Sequence, residues 1–182
     1  MSSDLTSPHP FQLRLAGAAD DVLLAQIGAE TFADTFAADN TAENMAAYLA
    51  AAFSPDQQAR EIADPASRFL ILEAHHTPVG YARLKFSPAP EAIIGRNPVE
   101  LARLYARRPW IGQGVGARLM QACLREADQA GCDTIWLGVW ERNSRAIAFY
   151  RRWGFVTVGA QIFELGQDPQ RDLLMARPVG SV

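Results

Sequence analysis

The chain has 182 residues, 49% of them apolar and 20% charged, and a net charge of −3 at neutral pH. That length carries one domain with a substantial core or two small ones. The charge balance argues against a general nucleic-acid binder, and no apolar run reaches membrane-spanning length.

MSSDLTSPHP, residues 1–10, lacks the basic and apolar regions of a secretory signal and reads as a short flexible tail. FQLRLA then alternates like a strand. AADDVLLAQIGAETFADTFAA has helical spacing, with Val22, Leu23, Ile27 and Phe32 on one broad face and Asp20 or a neighbour as cap. NTAENMAAYLAAAF predicts a second helix, capped by Thr41 or Asn40. SPDQQAREIADP predicts a third, with Ser54 as cap, Pro55 in the first turn and Pro65 beyond the end.

RFLILEA and VGYARLKF, separated by HHTP, predict an antiparallel hairpin. SPAPEAIIGRNP reads as a mobile loop that helps to define the ligand site. VELARLYA is the next strand, followed by a glycine-rich loop and a helix ended by Gly131. CDTIWLGVW is a buried strand, NSRAIAFYRRW a helix, and FVTVGAQIFELG and RDLLMARP the last strands. With no internal repeat and no long linker, residues 11–178 form one α/β domain.

Charge is divided unevenly. Residues 1–98 hold 6 basic and 12 acidic side chains, and residues 99–182 hold 11 and 8. This fits an anionic ligand on the C-terminal half and a cationic one on the N-terminal half. Cys123 and Cys132 form no CxxC pair and have no histidine cluster beside them, so no metal is expected. Free thiols fit a reducing compartment, and a cytoplasmic location is the expectation.

The chemistry centres on RRPWIGQGVGARLM. A nucleoside triphosphate loop needs Lys-Ser/Thr after its last glycine, but Ala117-Arg118 follows Gly116. Gly112, Gly114 and Ala117 match a dinucleotide fingerprint formally, but its context fails. Arg107, Arg108, Pro109 and Trp110 separate the strand from the first glycine, and no second βαβ unit follows. What remains is a strand, a bend, a glycine loop and a helix whose first N–H groups can hold a pyrophosphate.

LARLYARRPWIGQGVGARLM, followed by VWERNSRAIAFYRRWGF, resembles the GCN5-related N-acetyltransferase (GNAT) family over residues 11–178. The family's (Q/R)xxGxG(A/G) loop corresponds to Ile111–Gly116, with Ile111 departing from Gln or Arg at the first position. AETFADTFAADNTAENMAAYLAAAF and WLGVWERNSRAIAFYRRWGF are most similar to PaiA-like polyamine and small-amine acetyltransferases. The resemblance implies a central, mixed, mostly antiparallel sheet of about seven strands, flanked by helices and splayed where acetyl-CoA enters.

It further implies that Leu104, Tyr105 and Ala106 offer main-chain groups to the pantetheine arm. Ile111, Gly112, Gln113, Gly114, Val115, Gly116 and Ala117 would cradle the pyrophosphate, with Arg107, Arg108, Gln113 and Arg118 offering side-chain contacts. Asn143 would hold the pantetheine arm or cap a helix. Tyr150 would stand near the thioester sulfur as the catalytic tyrosine. Glu100, fourteen positions before Gly114, would be the base, as in histone-type members. Glu30 and Asp34 share a helix face at i,i+4 and would attract a cationic amine.

The expected reaction is direct acetyl transfer from acetyl-CoA to a primary amine, a small cationic amine or polyamine being favoured. A protein N-terminus or lysine, and a non-catalytic acyl-CoA sensor, are the alternatives. The expected partners are acetyl-CoA and the amine, with neither nucleic acid nor membrane. A homodimer is the assembly to be tested.

Proton accounting shows what the site must supply. An amine of pKa near 10.4 is neutral at pH 7 only at a cost of roughly 4.6 kcal/mol, so a base or water chain is needed. Proton transfer from an unperturbed tyrosine to a thiolate is uphill by roughly 2 kcal/mol. Tyr150 therefore hydrogen-bonds the thiolate, or its pKa is lowered by its surroundings.

Overall fold

The computed structural model describes residues 11–165 and 168–180, so the tail expected at 1–10 lies outside the described residues, as does Gly166. The elements follow the order expected. They are β1 (Phe11–Leu15), α1 (Asp21–Phe36), α2 (Ala42–Ala52), α3 (Pro55–Ala63), β2 (Ser67–Ala74) and β3 (Thr77–Lys85). Then come β4 (Pro98–Ala106), α4 (Val115–Gln129), β5 (Thr134–Trp140), α5 (Ser144–Arg152), β6 (Val156–Leu165) and β7 (Asp168–Pro178).

Local chemistry sets the boundaries. Thr41 Oγ1 accepts from the Asn44 N–H at 3.2 Å and Ser54 Oγ from the Gln57 N–H at 3.3 Å, which caps α2 and α3. Asp20 stands at the start of α1 but does not cap it. Its carboxylate instead accepts from Arg14 and from the Gly17 N–H. His75 and His76 both have positive φ, 49° and 61°, as a two-residue hairpin turn between β2 and β3 requires.

The strands form one seven-stranded sheet in the order β1-β2-β3-β4-β5-β7-β6. Only β4 and β5 run parallel, and they pair over just three rungs, ending at Glu100 opposite Trp136. Ala102 is an extra residue in β4, because Arg83 faces Arg103 while Leu84 faces Leu101. Such a bulge bends and twists its strand. Beyond Glu100 the two strands part.

Each face of the sheet has its own helices. On one face α4 and α5 cover Val99, Leu101, Ile135, Leu137, Val139 and Met175. The other face meets α1 through Leu24 and Ile27 against Phe69, Ile71 and Tyr81. Further along, Phe32, Met45, Phe53 and Leu165 close a second apolar cluster around α1 and α2. Burying these side chains supplies about 25 cal/mol per Å² of apolar surface, the main stabilising contribution.

The proline-rich segment 86–97 does not border the ligand cavity, contrary to expectation. Ile93 and Ala89 pack against Trp136, Leu174 and Ala176, and Asp133 accepts from the Arg96 N–H at 2.7 Å. Apolar burial and these bonds dock the segment near the paired ends of β4 and β5.

Candidate active site

The opening between β4 and β5 continues into a cavity of about 680 Å³. Leu101–Ala106 line one side, and Gly138, Val139 and Trp140 line the other. Since β4 has no neighbour on that edge past Glu100, its backbone groups there can pair with an extended ligand.

At one end lies the glycine loop. Gly112 and Gly114 have φ of +82° and +83°, a left-handed conformation that costs other residues strain. The first α4 rung runs from the Arg118 N–H to the Gly114 carbonyl at 3.1 Å. The N–H groups of Val115, Gly116 and Ala117 therefore precede the helical ladder and face an anion-binding position. Ile111, Gly112, Gly114, Gly116 and Ala117 line the cavity, whereas the Val115 side chain is buried in the core. Gln113 turns back, its Nε2 donating to the Pro109 carbonyl at 2.6 Å. That bond fixes the bend instead of reaching outward.

The arginines are deployed differently from the sequence expectation. Arg108 lines the cavity. Arg107 lies 3.4 Å from Glu30, and Arg118 stacks over Phe11 at 4.7 Å. Two arginines that sequence reasoning missed, Arg145 and Arg152 on α5, line the cavity instead. Their signal was present in the basic helix NSRAIAFYRRW, which follows the next strand. Together these residues suit a polyanionic phosphate chain.

Asn143 caps α5, its Oδ1 accepting from the Ala146 N–H at 3.1 Å, and it also lines the cavity. The cap occupies the oxygen and leaves the amide nitrogen for another acceptor. Tyr150, two helical turns further on, reaches the cavity from a setting of Phe149, Phe155 and the α4 core. Burial raises its pKa, with the nearby Cys123 adding to the rise. Burial thus works against the account in which the site lowers this pKa. An apolar pocket disfavours the phenolate and keeps the hydroxyl a hydrogen-bond donor.

The opposite end of the cavity is built by α1, α2 and the strands beyond β5. Asp34 lines it together with Phe36, Tyr48, Trp140 and Phe163. Glu30 does not line it, because its carboxylate turns to Arg107. Glu100 also stands outside the lining. It occupies the last paired rung below the opening, and burial raises its pKa against the pull of Lys85, Arg83 and Arg103. Asp172 on β7 is a carboxylate that sequence reasoning missed, and it does line the cavity. Burial alone pushes its pKa up to about 6.

Arg103 is held on the cavity wall by a buried ion group. Glu61 accepts from Arg103 at 2.6 Å and lies 2.8 Å from Arg83, while Gln58 accepts from Arg103 at 3.2 Å. The Arg103 guanidinium also stacks on Phe53 at 4.9 Å. Its charge is therefore satisfied from α3 and is not aimed at a ligand.

Among the described residues no cluster of His, Cys, Asp and Glu could hold a metal, and no helix is long and apolar enough to cross a membrane. The family model for the acetyltransferase (GNAT) family matches residues 29–155. An uncharacterised N-acetyltransferase from the pepI 3′ region of Lactobacillus delbrueckii subsp. lactis is 34% identical over 151 residues, covering 83% of this chain and 87% of the relative. A shorter similarity, 30% over 78 residues, links 42% of this chain to 51% of a probable spermine N(1)-acetyltransferase of Bacillus subtilis subsp. natto. The PaiA N-acetyltransferase of Thermoplasma acidophilum, in complex with coenzyme A, shares the fold. Its TM-score is 0.74 at 22% identity, over 92% of this chain and 98% of that one. The chain is an acetyl-CoA-dependent N-acetyltransferase and belongs to the acetyltransferase (GNAT) family.

Proposed function

We propose that this enzyme acetylates a primary amine on a small cationic molecule, a polyamine being one such acceptor, by direct attack on acetyl-CoA. One observation carries the reading. A single cavity runs from the glycine loop, past Tyr150, to a pocket with Asp34, Asp172 and four aromatic rings. Carboxylates attract an ammonium group, and aromatic faces add cation–π attraction of about 0.5–2 kcal/mol each. The partial similarity to a probable spermine N(1)-acetyltransferase supports the same class of acceptor.

In this reading the backbone of Leu104–Ala106 and Asn143 hold the pantetheine arm. The N–H groups at the start of α4, with Arg108, Arg145 and Arg152, hold the phosphates. Tyr150 donates a hydrogen bond to the departing sulfur. Cys123 and Cys132 are buried and neither lines the cavity, which favours direct transfer over an acetyl-cysteine.

The test is a thiol-release screen of polyamines, monoamines and peptides carrying a free N-terminus or lysine. Polyamines or monoamines should react, and Asp34→Asn should raise KM for the cationic amine without changing that for acetyl-CoA. Reaction of peptides alone would replace this reading with protein acetylation. Tight acetyl-CoA binding without turnover of any amine would point to a sensor.

A further inference from the structure

Asp172 belongs to none of the motifs, yet three strands converge to place it. It pairs with Trp140 of β5 on one side and Gln161 of β6 on the other. On β5, Gly138 lies two residues from Trp140 and therefore on the same face. A Cβ at Gly138 would lie 3.3 Å from Asp172 Oδ2 and 3.1 Å from Gln161 Nε2. The missing side chain leaves the carboxylate open to the β5 edge of the splay.

No cation pairs with this carboxylate among the described residues. Arg171, its neighbour on β7, is bonded to Glu141 at 2.8 Å. Arg103 of β4 is engaged by Glu61. The α2 helix contributes Tyr48, whose hydroxyl pKa is raised by burial first, with Asp172 adding to the rise. The α1 helix contributes Asp34, a second negative group in the same cavity. On the α5 side, Arg145 lines the cavity and Arg142 stacks over Trp140 at 5.9 Å. An uncompensated, half-buried carboxylate is costly, and a bound ammonium would relieve that cost.

We infer that Asp172 receives the ammonium group of the acceptor and takes its proton before acetyl transfer. This deepens the small-amine reading and rests on it. Burial pushes the Asp172 pKa up to about 6, so the group is ionised at neutral pH yet more basic than an ordinary carboxylate. Asp172 takes one proton from R–NH3+ and leaves a neutral nitrogen lone pair. That pair forms the C–N bond to the thioester carbonyl carbon as the C–S bond breaks. A second nitrogen proton is lost while the thiolate gains one, giving the amide and the free thiol. Asp172 then releases its proton to water, and the balance closes with one proton produced.

The experiment compares wild type with Asp172→Asn, using spermidine and 2-phenylethylamine as probes over pH 5–9. Asp172→Asn should lower kcat/KM by about 100-fold or more and abolish the acid limb near pH 6. Its affinity for acetyl-CoA by calorimetry should stay unchanged. Asp34→Asn should keep that limb. Gly138→Ala, which retains Asp172 but places a methyl group against it, should raise the amine KM. An Asp172→Asn enzyme that keeps wild-type kcat/KM and its acid limb on a probe that wild type acetylates overturns the inference and spares the acceptor reading. An unchanged amine KM in Gly138→Ala also counts against it. Wild type that acetylates neither probe overturns both.

Discussion

Tyr150 and Asp172 line one cavity from opposite faces of the sheet. Tyr150 comes from α5 on the face that α4 covers. Asp172 shares the other face with Leu174, which packs against Trp136. The opening between β4 and β5 joins the two sides. A hydroxyl donor and a carboxylate acceptor thus reach one cavity from two directions.

Tyr150→Phe should lower kcat by about 100-fold or more, the usual scale of a lost proton donor, with little change in KM for acetyl-CoA. The ring would still pack against Phe149 and Phe155. Steady-state kinetics decides, and unchanged turnover would remove the hydroxyl from the reaction.

The raised pKa of Asp172 predicts a stability effect of definite sign. The folded chain holds this proton more tightly than the unfolded chain, up to about pH 6. The carboxylate therefore destabilises the fold increasingly between about pH 4, the ordinary aspartate value, and pH 6, and fully above it. Asp172→Asn should raise Tm relative to wild type at pH 8 and not at pH 4. Thermal melts at the two pH values provide the check.

Glu61 is 9% exposed and bridges Arg83 and Arg103. Glu61→Ala leaves two buried arginines without their carboxylate, so a loss of about 3–5 kcal/mol is expected. Urea denaturation measures it directly. A loss below about 1 kcal/mol, the scale of an exposed pair, would show that water replaces Glu61.

Gly114 and Gly131 have similar positive φ, +83° and +72°, and neither has atoms that a Cβ would strike. Alanine at either position should cost about 1–2 kcal/mol of stability through strain alone. Only Gly114 lines the cavity. Gly114→Ala should therefore raise KM for acetyl-CoA, and Gly131→Ala should not. Equal KM values would separate the glycine loop from acetyl-CoA binding.

Most of the fold was legible because each element announces itself over a short window. Thr41 and Ser54 cap helices where the sequence places them, and the glycines end or open helices at the expected positions. The glycine loop and N-x6-YRRWGF likewise lie close together in the chain, so their pattern survives as a motif. Glu30 and Asp34 show where such reading stops. Helical spacing puts both on one face, but it does not say that Arg107 takes the first and the cavity the second.

The sequence by itself determined the order of elements, the family, and the loop that suits a pyrophosphate, because local propensity and contiguous motifs carry that information. The tertiary structure decided which acids line the cavity. Glu100 falls below the opening, since the three-rung pairing of β4 with β5 ends at that residue. Asp172, 34 positions beyond Gly138 in the chain, is brought beside it by antiparallel pairing of β7 with β5. Its raised basicity comes from burial, which exists only once the sheet, α1 and α2 have closed around it.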